Sequence, residues 1–335
     1  MMLHNDVHVL QHTNVLLILY PYSSRGASAA IANRPPTRAP PIIACELRLQ
    51  LVRCVRKLDQ TANICGMSYN SQGDELFFVD YGSGGNKMVR SMSVRDNTGD
   101  LRVVYRGSAH DASPAIFSVC HMRDSATLLV CSCEKGPDNR HSGWLVALSR
   151  CGREGEWREA QRVNTGLSAS LSCALSDSRV LIGRLGSAYL ELFRVQTGPQ
   201  IARVHSISVP KEYLWFSATS DSGGNTQVAM SYKKDESVRV HRLVGDRLEE
   251  MARIRLESPY LLLWVSNRLF VSAPGFSGVV ELELRDSRLE RRCQLIGSTG
   301  NIIIVHKWCA LDEGLVVYND SSKELIHYSL TLQNE

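Results

Sequence analysis

Ten cysteines in 335 residues are the first candidates for chemistry in this chain. Cys131 and Cys133 form a Cys-x-Cys pair, and on a strand that spacing puts both thiols on one face. No Cys-x-x-Cys pair occurs, so the usual redox dithiol spacing is missing. Cys120 and Cys173 stand at matching points of two similar phrases, "IFSVCHMRDSATLLVCSC" and "SLSCALSDSRVLIGRL", and could approach each other from neighbouring modules. Zinc would need thiolates and imidazoles at about 2 Å from one point. His121 follows Cys120 and so points to the opposite face of a strand. Cys65, Cys120, Cys131, Cys173 and Cys309 all lie inside apolar runs, where free cysteine packs as a small hydrophobe. Reduced core thiols are therefore expected, in a cytoplasmic or nuclear protein. No metal and no cofactor are expected.

Other catalytic signatures are sparse. No Gly-x-Ser-x-Gly elbow occurs, although the members of a Ser-His-Asp triad are scattered in any fold and leave no spacing to read. "YGSGGNK" and "SDSGGNT" are glycine-rich, but neither carries Gly-Lys-Ser/Thr nor leads into a helix, so they read as loops. Asn319-Asp320-Ser321 fits a glycosylation sequon, which matters only in a secreted chain. Trp215, Trp264 and Trp308 read as core, the alternative being a ligand cage. The net charge of +4 is small, and acids interleave with the arginines in "CGREGEWREAQR" and "DSRLERRCQ". A nucleic-acid partner is not expected from that balance.

The elements that must position these groups form a repeat. From Ile64 the chain repeats a four-part phrase: an apolar run, a polar turn, a second apolar run, then two alternating runs joined by a Gly/Asp turn. Each run is short, rich in β-branched residues and bounded by turn residues, so each reads as a strand. Copies begin at Ile64, Ile116, Ser170, Tyr213, Tyr260 and Asn301, with steps of 41 to 54 residues. The shared turn acids Asp124, Asp177 and Asp312 link first to second strands, which makes Cys120, Cys173 and Trp308, four residues earlier, equivalent positions. The sixth copy lacks its fourth strand, and "CELRLQLVRC" at 45–54 has the missing alternation. A ring closed by that N-terminal strand follows. Two stacked β-sandwiches are the alternative, but they explain neither the missing strand nor its match at the front.

This organisation resembles the β-propeller families, loosely the WD40, YVTN and NHL-like group, over residues 45–331. No copy carries a Trp-Asp ending or a Gly-His opening. The expected fold is all-β: a six-bladed propeller of four-stranded antiparallel blades, as one domain over 44–335. The expected N-terminal extension, 1–43, is poorly ordered. Its apolar "NVLLILYPY" is too short to span a bilayer, and a weak targeting segment is the alternative reading. The resemblance also implies that first strands line the channel. Six-bladed hydrolases and lactonases of this kind hold calcium there with Glu, Asp and Asn, but this chain places aliphatics at those starts, with Asn63 and Asn301 the adjacent amides.

Function is therefore sought on the rim loops. Tyr81, Tyr213, Tyr232 and Phe276 are the expected aromatic anchors, and Lys135, Arg140, His141, Arg184, Lys233 and Lys234 the mildly basic surround. The leading reading is a non-enzymatic scaffold, a monomeric domain without a membrane span, binding a protein or peptide on that rim. The alternative is a hydrolase or lactonase-like enzyme with its site in the channel mouth.

Overall fold

The computed structural model describes residues 47–332, apart from 83–86, 97–99, 108–114, 123–125, 136–140, 152–154, 167–170, 176–177, 185–186, 197–199, 211, 222, 266–267, 274–277, 286–287, 296–306, 313 and 321. All of these belong to the unit Ile43–Glu335, and the N-terminal extension lies outside the described residues.

The strands fall into antiparallel sheets of four. An N-terminal strand, β1 (Leu47–Lys57), is set aside for the end of the ring. The first blade holds β2 (Ile64–Asn70), β3 (Glu75–Tyr81), β4 (Lys87–Ser93) and β5 (Arg102–Tyr105). The second holds β6 (Ala115–Met122), β7 (Thr127–Lys135), β8 (His141–Cys151) and β9 (Glu156–Gly166). The third holds β10 (Leu171–Ala174), β11 (Arg179–Gly183), β12 (Tyr189–Val195) and β13 (Ile201–Ser208). The fourth holds β14 (Trp215–Ser220), β15 (Thr226–Tyr232), β16 (Ser237–Val244) and β17 (Arg247–Arg255). The fifth holds β18 (Leu262–Val265), β19 (Arg268–Ala273), β20 (Gly278–Arg285) and β21 (Arg288–Leu295). The sixth holds β22 (Lys307–Ala310), β23 (Gly314–Asn319) and β24 (Glu324–Leu332), and β1 supplies its outer strand.

Each first strand meets the first strand of the next blade, and β22 returns to β2. The fold is a six-bladed β-propeller.

The closing strand occupies an ordinary blade position. The two outermost strands of every blade are joined through a register shift, as at Val89/Arg90, Leu192/Phe193, Val240/His241 and Glu281/Leu282. The β1–β24 pair has the same feature, at Leu51/Arg53 and Cys54/Arg56. Bulges raise local twist, and each blade must twist outward from the axis. A strand from the opposite end of the chain has acquired the same irregularity.

The core sits between blades. Leu76, Phe77, Phe78 and Val79 of β3 are all fully buried, with Leu76 and Phe78 packed toward the sixth blade and Phe77 and Val79 toward the second. Second strands thus read as unbroken apolar runs because both of their faces are covered, while successive side chains still alternate. Val55 of β1 and Leu325 of β24 join Ile64, Leu76, Phe78 and Val316 in the cluster that seals the ring.

Candidate functional site

First strands converge on the axis, so their side chains face a narrow space and their outward backbone groups have no fifth strand to pair with. Small hydroxyl and thiol side chains meet both demands. Ser68 Oγ accepts from the His121 backbone N–H at 2.8 Å, across the first and second blades. Ser118 and Ser172 hydroxyls meet at 2.8 Å across the second and third. Cys173 Sγ lies 3.2 Å from the Ala218 carbonyl and accepts from its N–H at 3.3 Å, joining the third and fourth. Ser217 Oγ accepts from the Trp264 N–H at 3.3 Å, joining the fourth and fifth. The Cys65 thiol donates to the Phe117 carbonyl at 3.2 Å. Gly66 packs tightly on the second blade, and an added Cβ, 3.1 Å from Ser118 Cα, would require that backbone to give by a few tenths of an ångström.

These thiols are structural. Burial pushes the Cys65 and Cys131 thiols up to about 12, and Cys173 to about 11. A thiol held protonated is neither a ready nucleophile nor a ready ligand. Among the described residues no three His, Cys, Asp or Glu side chains converge as a metal site. None of Cys54, Cys65, Cys120, Cys131, Cys133, Cys151, Cys173 and Cys309 is in a disulfide. The thiol equivalence differs from the sequence expectation in the sixth blade. Cys120 packs between the second and third blades and Cys309 between the sixth and first, each facing forward around the ring, whereas Trp308 faces back toward the fifth. A one-residue slip exchanges the faces of a strand, so Cys309 is the counterpart of Cys120 and Cys173.

The space enclosed is a channel of about 480 Å³. Its described lining holds one ammonium, Lys307, and one carboxylate, Asp312. They lie near opposite ends of the sixth first strand, roughly 16 Å apart by strand rise over five residues. Cys65, Trp215 and Lys307, at the starts of their strands, form one mouth. Lys307 Nζ sits 4.5 Å from the centre of the Trp215 ring, and Trp215 in turn packs on Tyr260 at 5.9 Å. Beside them Lys87 Nζ lies 4.3 Å from the Tyr81 ring centre and 5.2 Å from that of Phe117. Phe117, on whose ring Lys87 sits, accepts the Cys65 thiol hydrogen bond, and Cys65 and Lys307 both line the channel. Neither ammonium group makes an ion pair with a described residue. Burial lowers the pKa of both, with little to oppose it beyond the weak pull of nearby thiols. Tyr81 donates its hydroxyl to the Ile116 carbonyl at 2.9 Å, and burial raises its pKa strongly.

The rim residues expected from sequence are not gathered. Tyr213 is 1% and Tyr232 2% exposed, both inside the core between the third and fourth blades. Their hydroxyls are spent locally, Tyr232 on Met230 Sδ at 3.2 Å. Tyr213 precedes β14 and Tyr232 closes β15, and both rings wedge between the third and fourth blades, filling the core rather than the surface. Tyr81 is half-buried beneath Lys87. Arg184, Lys233 and Lys234 are exposed, and Lys234 pairs with Glu212 at 3.4 Å in an exposed bridge of small worth. Lys135 and His141 are backbone partners in the β7–β8 register. Arg140 and Phe276 lie outside the described residues. Trp264 and Trp308 are core, as expected, with Trp215 half-buried at the mouth. Sequence reasoning passed over Lys307 and Lys87. The available signal was a lysine opening an apolar inner strand in "IIIVHKWCAL".

No protein-family model and no curated protein sequence matches the chain. Solved structures match it in fold. The PQQ-bound aldose sugar dehydrogenase from Streptomyces coelicolor is 6% identical with a TM-score of 0.55, over 86% of this chain and 99% of its own. The apo soluble aldose sugar dehydrogenase from Escherichia coli is 8% identical with a TM-score of 0.55, over 84% and 99%. A glucose dehydrogenase is 8% identical with a TM-score of 0.54, over 83% and 99%. No helix among the described residues is long and apolar enough to cross a membrane.

Proposed function

We propose that the protein is a channel-mouth enzyme acting on a small anionic organic molecule, rather than a rim-binding scaffold. One observation carries this reading: two ammonium groups without carboxylate partners among the described residues each lie against an aromatic ring, Lys307 in the channel lining and Lys87 on the rings of Tyr81 and Phe117 beside Cys65. Leaving two cations poorly hydrated and unpaired costs stability, and such costs concentrate at functional sites. A planar anion supplies the missing charge and stacks on Trp215. The scaffold reading loses two of its anchors, because Tyr213 and Tyr232 are buried. The dehydrogenases of like fold accord with an enzymatic role but name no reaction for this chain.

The test uses the fluorescence of Trp215. Benzoate should quench tryptophan emission saturably, and its uncharged isostere benzamide should not. Lys307→Gln should weaken the benzoate response by about tenfold, the equivalent of one charge-assisted hydrogen bond. An equal response to benzoate and benzamide, or an unchanged one in the variant, would refute the reading.

A further inference from the structure

We propose that Lys307 is a covalent amine nucleophile that captures the carbonyl carbon of an anionic aldehyde or ketone as an iminium, while Lys87 holds the anionic group. This rests on the channel-mouth reading above and specifies its substrate class.

The geometry comes first. Lys307 opens the sixth inner strand, so its backbone is fixed by the β22–β23 ladder, in which it pairs with Tyr318. Its side chain reaches the channel and lies against the Trp215 ring at 4.5 Å, which leaves the amine at the lip of a cavity large enough for a small aromatic acid. The one described carboxylate of the lining, Asp312, stands near the other end of the strand. Lys87 comes from the first blade and lies on the rings of Tyr81 and Phe117, and the Phe117 carbonyl accepts from the Cys65 thiol of the channel lining. A substrate bridging the two would present its charged end to one lysine and its carbonyl to the other.

The two other reactive groups of the mouth are held in their unreactive forms. The Cys65 thiol is raised to about 12 by burial and donates to the Phe117 carbonyl. The Tyr81 hydroxyl donates to the Ile116 carbonyl and is also raised. Only the amines are shifted toward the form that attacks, because a poorly hydrated ammonium loses its proton more readily. Lys307 is the one of the two that lines the channel.

The step balances without an oxidant or reductant. The neutral amine lone pair forms a C–N bond as the carbonyl π electrons move to oxygen. A proton passes from nitrogen to that oxygen through water, giving a carbinolamine. The C–O bond then breaks, the oxygen leaves as water after taking a second proton from solvent, and the nitrogen lone pair forms the C=N⁺ bond. The iminium withdraws electrons from the adjacent carbon, which is the use of such an adduct in proton abstraction or carbon–carbon cleavage.

The experiment is reductive trapping with 4-formylbenzoate and sodium cyanoborohydride on the full chain, followed by proteolysis and mass spectrometry. Lys307 should carry the carboxybenzyl group about tenfold faster than the exposed Lys233 and Lys234, a ratio corresponding to about 1.4 kcal/mol. Benzaldehyde, lacking the carboxylate, should label Lys307 more slowly than 4-formylbenzoate, and Lys87→Gln should remove that preference. Lys307→Arg keeps the charge but cannot form the adduct, so it should still answer to benzoate while losing the label. Labelling spread evenly over surface lysines, with benzoate quenching intact, overturns the iminium step and leaves the anion site standing. Even labelling with no benzoate response overturns both.

Discussion

Ring closure by the N-terminal strand can be measured through two side chains that meet from opposite ends of the chain. Val55 is 4% exposed in β1 and Leu325 is fully buried in β24, and both belong to the cluster between the sixth and first blades. Val55→Ala removes the equivalent of two methylenes, about 1.6 kcal/mol at ~0.8 kcal/mol each. The residual cavity brings the cost to about 2 kcal/mol, and Leu325→Ala should cost about 3 kcal/mol by the same reasoning. The unit Ile43–Glu335 has roughly 290 residues, so its unfolding entropy is about 0.6 kcal/mol per degree at the midpoint. Val55→Ala should then lower Tm by about 3 °C and Leu325→Ala by about 5 °C. Because the two share one cluster, the double variant should depart from additivity by at least ~0.5 kcal/mol. Urea denaturation of the four proteins, with midpoints converted through a common m-value, provides the cycle. A cost below ~0.5 kcal/mol for Val55→Ala together with strict additivity would refute closure, since those are the marks of an undocked surface strand.

Two further outcomes follow from the packing and charge. Gly183→Ala should destabilise by about 1–3 kcal/mol. The new Cβ would meet the Tyr213 hydroxyl, and would lie 2.7 Å from Leu190 Cδ2 and 2.9 Å from Phe216 Cε1. All three neighbours are core residues with no open side to move into; a variant with unchanged thermal midpoint would contradict that packing. Lys307→Met should stabilise the fold at neutral pH, because burial holds the Lys307 pKa below its unfolded value of 10.5. The folded state therefore binds that proton less readily than the unfolded state. The penalty is complete below the folded pKa and is relieved as pH rises through it toward 10.5, so the gain from Lys307→Met should shrink between pH 7 and pH 10. Lys87 titrates in the same direction in both proteins, so comparing wild type with variant isolates Lys307. Paired urea titrations at the two pH values give the difference, and an equal or growing gain at pH 10 would be evidence against it.

The architecture was legible because its cause is local and repeated. A strand buried on both faces must be apolar throughout, as "ELFFVDY" is, and an outer strand must alternate with charge, as "RLEEMARIRL" does. The missing strand was legible for the same reason. The face of a particular side chain was less so. The expected match of Trp308 with Cys120 and Cys173 counted back from a turn acid, and one residue of slip in the short sixth-blade strand gave the place to Cys309. The rim tyrosines failed for a related reason. Tyr213 and Tyr232 stand near strand ends, where sequence alone does not separate an aromatic wedged between blades from one presented to solvent.

The candidate site was hidden because its members come from the first, fourth and sixth blades, and its signal is a missing partner rather than a motif. Lys307, Trp215 and the first-blade pair Cys65 and Lys87 are far apart in sequence, and each alone is unremarkable as a type. The ring brings the starts of first strands together, and the same convergence that demands serine and cysteine along the wall restricts water at the lip. A lysine placed there loses hydration without gaining a carboxylate. In an outer strand the same residue would extend into solvent, as the exposed arginines of β17 do. The reactivity assigned to Lys307 is thus a property of its position in the ring, and moving the ammonium one residue along β22, to the face turned toward the fifth blade, should remove it.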